Sequence, residues 1–252
     1  MLIALSRANI MLADRPAPTR TPIRRNVSVR FAGADFASWA LADRATGQII
    51  GSENLGAPGD TMSMIKAWIA ADFLRSQAST VSPADLEQLS IMIRDSDNDI
   101  AVQYHERNGQ KASIDRMISV CRLADSHAGR IPYRWSDTVM SARDVAKLGI
   151  CLADGHAAGG WTAWLLSEMR QVRGDGDFGP RKAFPEAEAA KIAVKNGWFV
   201  RPEDEHWHFA CLAIDESWTL GVLLRYPAKL GEEHGRELCR AAGEQLLPIL
   251  SQ

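Results

Sequence analysis

Apolar residues first come in short runs, at 27–31, 36–41 and 48–52, that read as strands. Asp43-Arg44-Ala45-Thr46-Gly47 supplies the turn chemistry of a hairpin between the last two. From Thr61 the spacing changes. Ile65, Trp68, Ile69 and Phe73 recur at the intervals that line one face of a helix, so this helix should be buried along one side. Further helices are predicted over 83–94, 99–108, 111–121, 142–152 and 161–169, while 125–133 is too broken to be more than a loop. Strands return at 190–195, 207–214 and 218–226, the last two joined by Asp215-Glu216-Ser217, and 231–247 closes the chain as an amphipathic helix stopped near Pro248. Strands at both ends with helices between predict an α+β (mixed α/β) fold. An antiparallel sheet assembled from the two termini is packed with terminal helices, and a helical lobe is inserted into it. Pro16, Pro18 and Pro22 make residues 1–26 an extended lead-in. The expected organisation is thus one domain over 27–252, with a sheet lobe at 27–60 and 190–252 and a helical lobe at 61–189.

Composition narrows the class. The 252 residues, 46% of them hydrophobic, suffice for one substantial core. The 29 basic and 31 acidic residues leave a formal charge of -2, with no basic field to gather nucleic acid; Arg20, Arg24 and Arg25 are a local exception that reads as solvated. No run approaches the length of a membrane span, and Met1 to Leu12 lacks the features of a secretory signal, so a cytoplasmic protein is expected unless the true start lies upstream. Cys121, Cys151, Cys211 and Cys239 are far apart and read as buried small hydrophobes rather than a disulfide framework or zinc site.

Three short motifs carry chemistry. Ser63-Met64-Ile65-Lys66 begins the first helix and places a hydroxyl and an amine one turn apart on one face. A lysine whose pKa is lowered by burial and nearby positive charge can take the proton that makes serine a nucleophile. Ser96-Asp97-Asn98 lies in a tight turn between two helices; taken alone, Ser96 is equally a helix cap. Lys195-Asn196-Gly197 ends a strand ahead of Trp198, where a glycine permits close approach; taken alone, it is a strand-end turn.

The order and context of these motifs resemble the penicillin-recognising serine hydrolases, and in particular the class A β-lactamase-related proteins of actinobacteria. Met92-Ile93-Arg94-Asp95-Ser96-Asp97-Asn98-Asp99 and Lys195-Asn196-Gly197-Trp198 are similar to that branch, and the resemblance runs from about Ala37 onward. It implies a cleft between sheet and helical lobe. In that cleft Ser63 would form an acyl-enzyme, Lys66 would act as general base and Ser96 would relay a proton to the leaving group. Asn98 would bind the substrate amide, Lys195 would attract a substrate carboxylate and help keep Lys66 neutral, and the N–H groups of Ser63 and Trp198 would form the oxyanion hole. The implied partner is a small-molecule or peptide substrate, a β-lactam among the options, with no cofactor and no metal.

Two departures from the family pattern shape the expectation. Residues 120–141 contain no glutamate to position a deacylating water, and Asn196 stands where the family carries a hydroxyl that grips a carboxylate. The stretch between the first two motifs is also short, which suggests a more open cleft. The expected activity is therefore a serine hydrolase acting on an amide, lactam or ester through a covalent acyl-enzyme: a weak β-lactamase with slow deacylation, or else a peptidase, esterase or acyltransferase indifferent to β-lactams. A binding module that keeps the cleft without turnover is the reading outside enzymology. His206 and His208 share a strand face without a third ligand nearby, Trp135 and Trp198 could line the cleft, and Asp175, Glu186 and Glu188 read as solvated carboxylates.

Overall fold

The computed structural model describes residues 27–77 and 80–250. The expected lead-in over 1–26, with its arginines, lies outside the described residues. In chain order the elements are β1 (Phe36–Asp43), β2 (Ile49–Gly51), β3 (Pro58–Asp60), α1 (Lys66–Ser76), α2 (Pro83–Arg94), α3 (Asn98–Arg107), α4 (Lys111–Cys121), β4 (Val139–Ser141), α5 (Ala142–Ala153), α6 (Thr162–Arg170), α7 (Glu186–Ala189), β5 (Ala193–Arg201), β6 (His206–Ile214), β7 (Trp218–Pro227) and α8 (Glu232–Leu250). Among the described residues, strands from both ends of the chain form a five-stranded antiparallel sheet in the order β2-β1-β7-β6-β5, as the α+β reading expects.

Helices cover both faces of the sheet. On one face α5 packs so closely that a Cβ at Gly149 would lie 2.8 Å from Thr219, whose hydroxyl donates to Ala146 O at 2.7 Å. On the other, α8 crosses Phe209 and Tyr226, and Cys239 of α8 is bonded to Cys211 of β6. The expectation of free, hydrophobe-like cysteines is overturned, because Cys121 and Cys151 are also joined, across α4 and α5. Their Cα separations of 5.4 and 6.5 Å suit a bridge, but the sequence separations of 30 and 28 give no local signature of pairing.

Other expectations shift for identifiable reasons. No strand forms at 27–31; instead the side chain of Gln245 completes the backbone of Arg30, accepting from its N–H at 2.9 Å and donating to its carbonyl at 3.0 Å. Helix α1 is buried all round from Lys66 to Leu74 rather than along one side, because α2, α3, α4 and α6 surround it. The last helix runs through Pro248 to Leu250; a proline so near the end removes a hydrogen bond from the final turn without a long helix to kink beyond it. Strand β5 does not end at Lys195 but continues to Arg201, paired with β6 as far as His206. A short antiparallel ladder of β3 with β4, unmarked in the sequence pattern, pairs Pro58 with Ser141 and Asp60 with Val139.

Candidate active site

The first motif sits at a change of backbone. Residues Met62–Ile65 form a 3-10 turn, and Lys66 opens α1. Gly197 fixes where this turn lies. A Cβ on Gly197 would fall 2.4 Å from Thr61 O, 2.5 Å from Ser63 N and 2.6 Å from Met64 N, so strand β5 can touch the Ser63 turn only through a glycine. Thr61 ties the turn to the opposite wall, its N–H and hydroxyl both donating to Thr138 O at 3.0 Å.

The second motif meets the other two at one oxygen. Asp97, not Ser96, caps α3: its side chain accepts from Ile100 N at 2.8 Å, which leaves the Ser96 hydroxyl for other work. Ser96 itself is held at φ 60°, a conformation costing a non-glycine residue roughly 1–3 kcal/mol. Met62, beside Ser63, has φ 46°. The other described non-glycine residues with positive φ, Gln110, Arg122 and Glu205, lie at the ends of α4 and in the β5–β6 turn.

Two lysines converge on Ser96, and both are 0% exposed. Lys195 Nζ donates to Ser96 Oγ at 2.8 Å and to Asn196 O at 3.3 Å. Lys66 Nζ contacts Ser96 O, lies 3.3 Å from Ser96 Oγ and 2.7 Å from Asn98 Oδ1, and has the Trp135 ring 4.8 Å away. Burial drives the Lys66 pKa down to about 7, against a smaller opposing pull from Asp97. Burial also holds Lys195 well below the usual lysine range, and repulsion from Lys66 adds to it. An amine that is neutral for part of the time at neutral pH can accept a proton, and a hydroxyl between two amines can pass one on.

The geometry does not gather every expected residue. Ser63 is half-buried beside this cluster, and its hydroxyl makes no hydrogen bond among the described residues; Lys66 is engaged by Ser96 and Asn98 instead. Asn196 and Trp198 point to the opposite face of β5 from Lys195 and Gly197. Asn196 is fully buried and donates to Gly176 O at 3.0 Å and Phe178 O at 2.8 Å, and its Oδ1 is unpartnered. Asn196 as a grip on substrate is therefore corrected: strand alternation sends its amide to the back of the sheet. The Trp198 ring lies against Phe178 and under Arg236, so only its backbone remains available to the cleft.

Among the described residues no carboxylate hydrogen-bonds to Lys66, and Asp97 acts on it only through its charge. Trp135 covers that side instead, its carbonyl accepting from the Thr138 hydroxyl at 2.8 Å. Asp175 is exposed, its carbonyl bound by Arg236, and Glu186 and Glu188 are exposed on α7. Beyond Ser63, Arg201 bridges the walls, with NH2 2.9 Å from Asp137 and Nε 3.3 Å from Asp60. Sequence reasoning missed this brace, whose partners are 64 and 141 residues away. His208 is held between Asp60 at 3.0 Å and Asp204 at 2.9 Å, and His206 lies 2.9 Å from Asp35; no metal-binding group of three His, Cys, Asp or Glu is found among the described residues.

Comparison with known proteins places this architecture. The chain superposes on a β-lactamase from Burkholderia vietnamiensis with a TM-score of 0.70 over 87% of this chain and 93% of that one, at 16% identity. It matches a class A β-lactamase from Mycobacterium abscessus at 0.65 (14% identity, 87% and 95% covered) and PBP-A at 0.65 (14% identity, 86% and 90% covered). The fold is β-lactamase-like. In a β-lactamase-like fold this cluster occupies the seam between β5 and the start of α1. No protein-family model matches the chain. Curated relatives named "Putative lipoprotein LppW", from Mycobacterium tuberculosis and Mycobacterium bovis, are 31% identical over 191 residues. That alignment covers 72% of this chain and 59% of the relatives, so the chain spans less than two thirds of their length.

Proposed function

We propose that the protein is a serine acyl-transfer enzyme with Ser63 as its nucleophile. The observation that carries this reading is the convergence of two fully buried lysines on Ser96 Oγ, beside a nucleophile turn that only Gly197 lets β5 touch. A structural core gains nothing from two buried amines, whose desolvation is costly. Ser63 Oγ attacks the carbonyl carbon of an ester or amide, and its proton passes to Lys66 Nζ. The bond to the leaving group then breaks, and the leaving alcohol or amine departs with a proton relayed through Ser96 Oγ. Asn98 and the N–H groups of Ser63 and Trp198 are the proposed contacts for the acyl group and its oxyanion.

With Trp135 rather than a carboxylate over Lys66, water has no dedicated base on that side, and the acyl-enzyme should be long-lived. This favours transfer to another acceptor, or slow hydrolysis, over efficient β-lactam destruction. The two disulfides support an oxidising, extracytoplasmic location, as does the naming of the relatives as lipoproteins, rather than the cytoplasmic one. Among the described residues no helix is long and apolar enough to cross a membrane.

The test is intact-protein mass after treatment with a fluorophosphonate probe. The native chain should gain a single adduct that peptide mapping puts on Ser63, and Ser63→Ala should gain none. Equal labelling of both proteins would sink the assignment.

A further inference from the structure

We propose that the Cys121–Cys151 bridge is a modification site for small thiols that carry a carboxylate, which enter the cavity between α4 and α5 and form a mixed disulfide with Cys121.

The two bridges differ in what surrounds them. Cys211 and Cys239 are both 0% exposed, sealed between β6 and α8. Cys121 and Cys151, at 8% and 3%, line a cavity of about 460 Å³ that opens to solvent. Small-molecule pockets run from about 300 to 1,000 Å³, so a short thiol fits. Exchange depends on access to a sulfur, and a thiolate can reach one bridge and not the other.

The charge around the open bridge has one sign. Arg122, Lys147 and His156 line the cavity, and among the described residues no carboxylate does. The side chains of Arg122 and His156 have no hydrogen-bond or ion-pair partner among the described residues, and Lys147 Nζ reaches only Arg122 O, at 3.4 Å. Carboxylates of the same segments are engaged elsewhere. Asp144 accepts from the N–H groups of Ala124 and Asp125 and from the Ser126 hydroxyl. Asp125 pairs with Arg143, Asp154 with Arg44 and Asp115 with Lys111, each at 2.7 Å. Arg122 directly follows Cys121, and Lys147 lies one turn before Cys151 on the same face of α5. Val120 and Ile150 complete the lining with apolar surface that suits a short alkyl chain.

The incoming thiolate attacks Cys121 Sγ, in the more exposed residue of the pair. A sulfur–sulfur bond forms there, the Cys121–Cys151 bond breaks, and its electron pair leaves on Cys151 Sγ as a thiolate. The small thiol is oxidised and Cys151 is reduced, with no other oxidant consumed. Unpaired cations beside the bridge favour the entering carboxylate, the attacking thiolate and the thiolate that leaves. Attack by Cys151 on the mixed disulfide closes the bridge again and releases the thiol, so the capture is reversible.

The experiment treats the oxidised full chain with mercaptoacetate, mercaptoethanol or cysteamine at one pH, quenches with N-ethylmaleimide, and reads the products by intact mass and peptide mapping. Each rate is divided by the rate of the same thiol with the small neutral disulfide of mercaptoethanol, which removes differences in intrinsic thiol reactivity. The mixed disulfide should appear on Cys121 with Cys211–Cys239 intact. In about 10 mM salt the carboxylate thiol should outpace the cationic one by about fivefold or more, and in about 1 M salt that preference should collapse. The double substitution Arg122→Gln with Lys147→Gln should remove it at low salt as well. Equal rates, a faster cationic thiol, or a preference untouched by salt and by the double substitution overturns the proposal. So does a first adduct on Cys211 or Cys239, a Cys121–Cys151 bridge that resists thiols until the protein is denatured, or free Cys121 and Cys151 in protein purified without reductant.

Discussion

A methyl group added at Gly197 would sit inside van der Waals contact with the backbone on both sides of Ser63. The atoms it meets are backbone, which cannot swing aside as a side-chain tip can. Gly197→Ala should therefore move the Ser63 turn away from β5 while leaving a folded protein. Displacements near 1 Å in such sites cost roughly 100-fold in rate. The expected outcome is a loss of about that size in the fluorophosphonate labelling rate, with a near-native thermal transition. Native labelling by the alanine variant would show that the contact is not needed. The residue types at this site were legible in the sequence, because Ser63, Lys66, Ser96, Asn98, Lys195 and Gly197 stand in motifs whose order is informative. Less visible was which partner each takes. The sequence pairs Lys66 with Ser63, but the folded chain engages Lys66 with Ser96 and Asn98, which come from a turn some 30 residues later.

At the scale of elements, the back of β5 is held by Asn196. Its two donated hydrogens satisfy Gly176 O and Phe178 O, in the loop that leads towards α7. Removing the amide leaves buried carbonyls unpaired at a cost of about 1–3 kcal/mol. Asn196→Ala should lower the urea midpoint accordingly, with little change in the denaturant slope, and should keep Ser63 labelled. Lost labelling at unchanged stability would return Asn196 to the cleft. Alternation along the strand could have given this orientation in advance, since adjacent residues of a strand face opposite ways. It was obscured because Asn196-Gly197 also carries the signal of a turn, the same signal that ended the predicted strand too early. Where local chemistry is unambiguous, prediction and structure coincide: α2 and α4 have their expected limits, the former with Ser82 as a capping residue and Pro83 in its first turn.

Over the whole molecule, two disulfides tie helices to their neighbours, α4 to α5 and α8 to β6. Closing loops of about 30 residues restricts the unfolded chain by roughly 3–4 kcal/mol per bridge in the chain-entropy account. Replacing Cys121 and Cys151 together by serine should lower unfolding free energy by about 2–5 kcal/mol, read from urea melts of oxidised proteins. An unchanged melt would mean that the bridge does not form. The antiparallel sheet built from both ends of the chain was readable because hydrophobic period and turn residues agree there. The bridges, the Arg201 brace and the burial of α1 on all sides depend on residues distant in sequence, and no local pattern encodes them.

The proposed activation of Ser63 by a lysine that is neutral for part of the time at neutral pH is tested most directly by the pH dependence of fluorophosphonate labelling. Burial favours the uncharged amine, so the base form of Lys66 is depleted below a pKa of about 7 and dominant above it. Between about pH 5 and pH 9, the rate at Ser63 should climb close to tenfold per unit up to about 7 and then level. Lys66→Arg, which keeps its charge throughout, should label too slowly to follow. A rate flat across that range, or one that survives in the arginine variant, would contradict the mechanism.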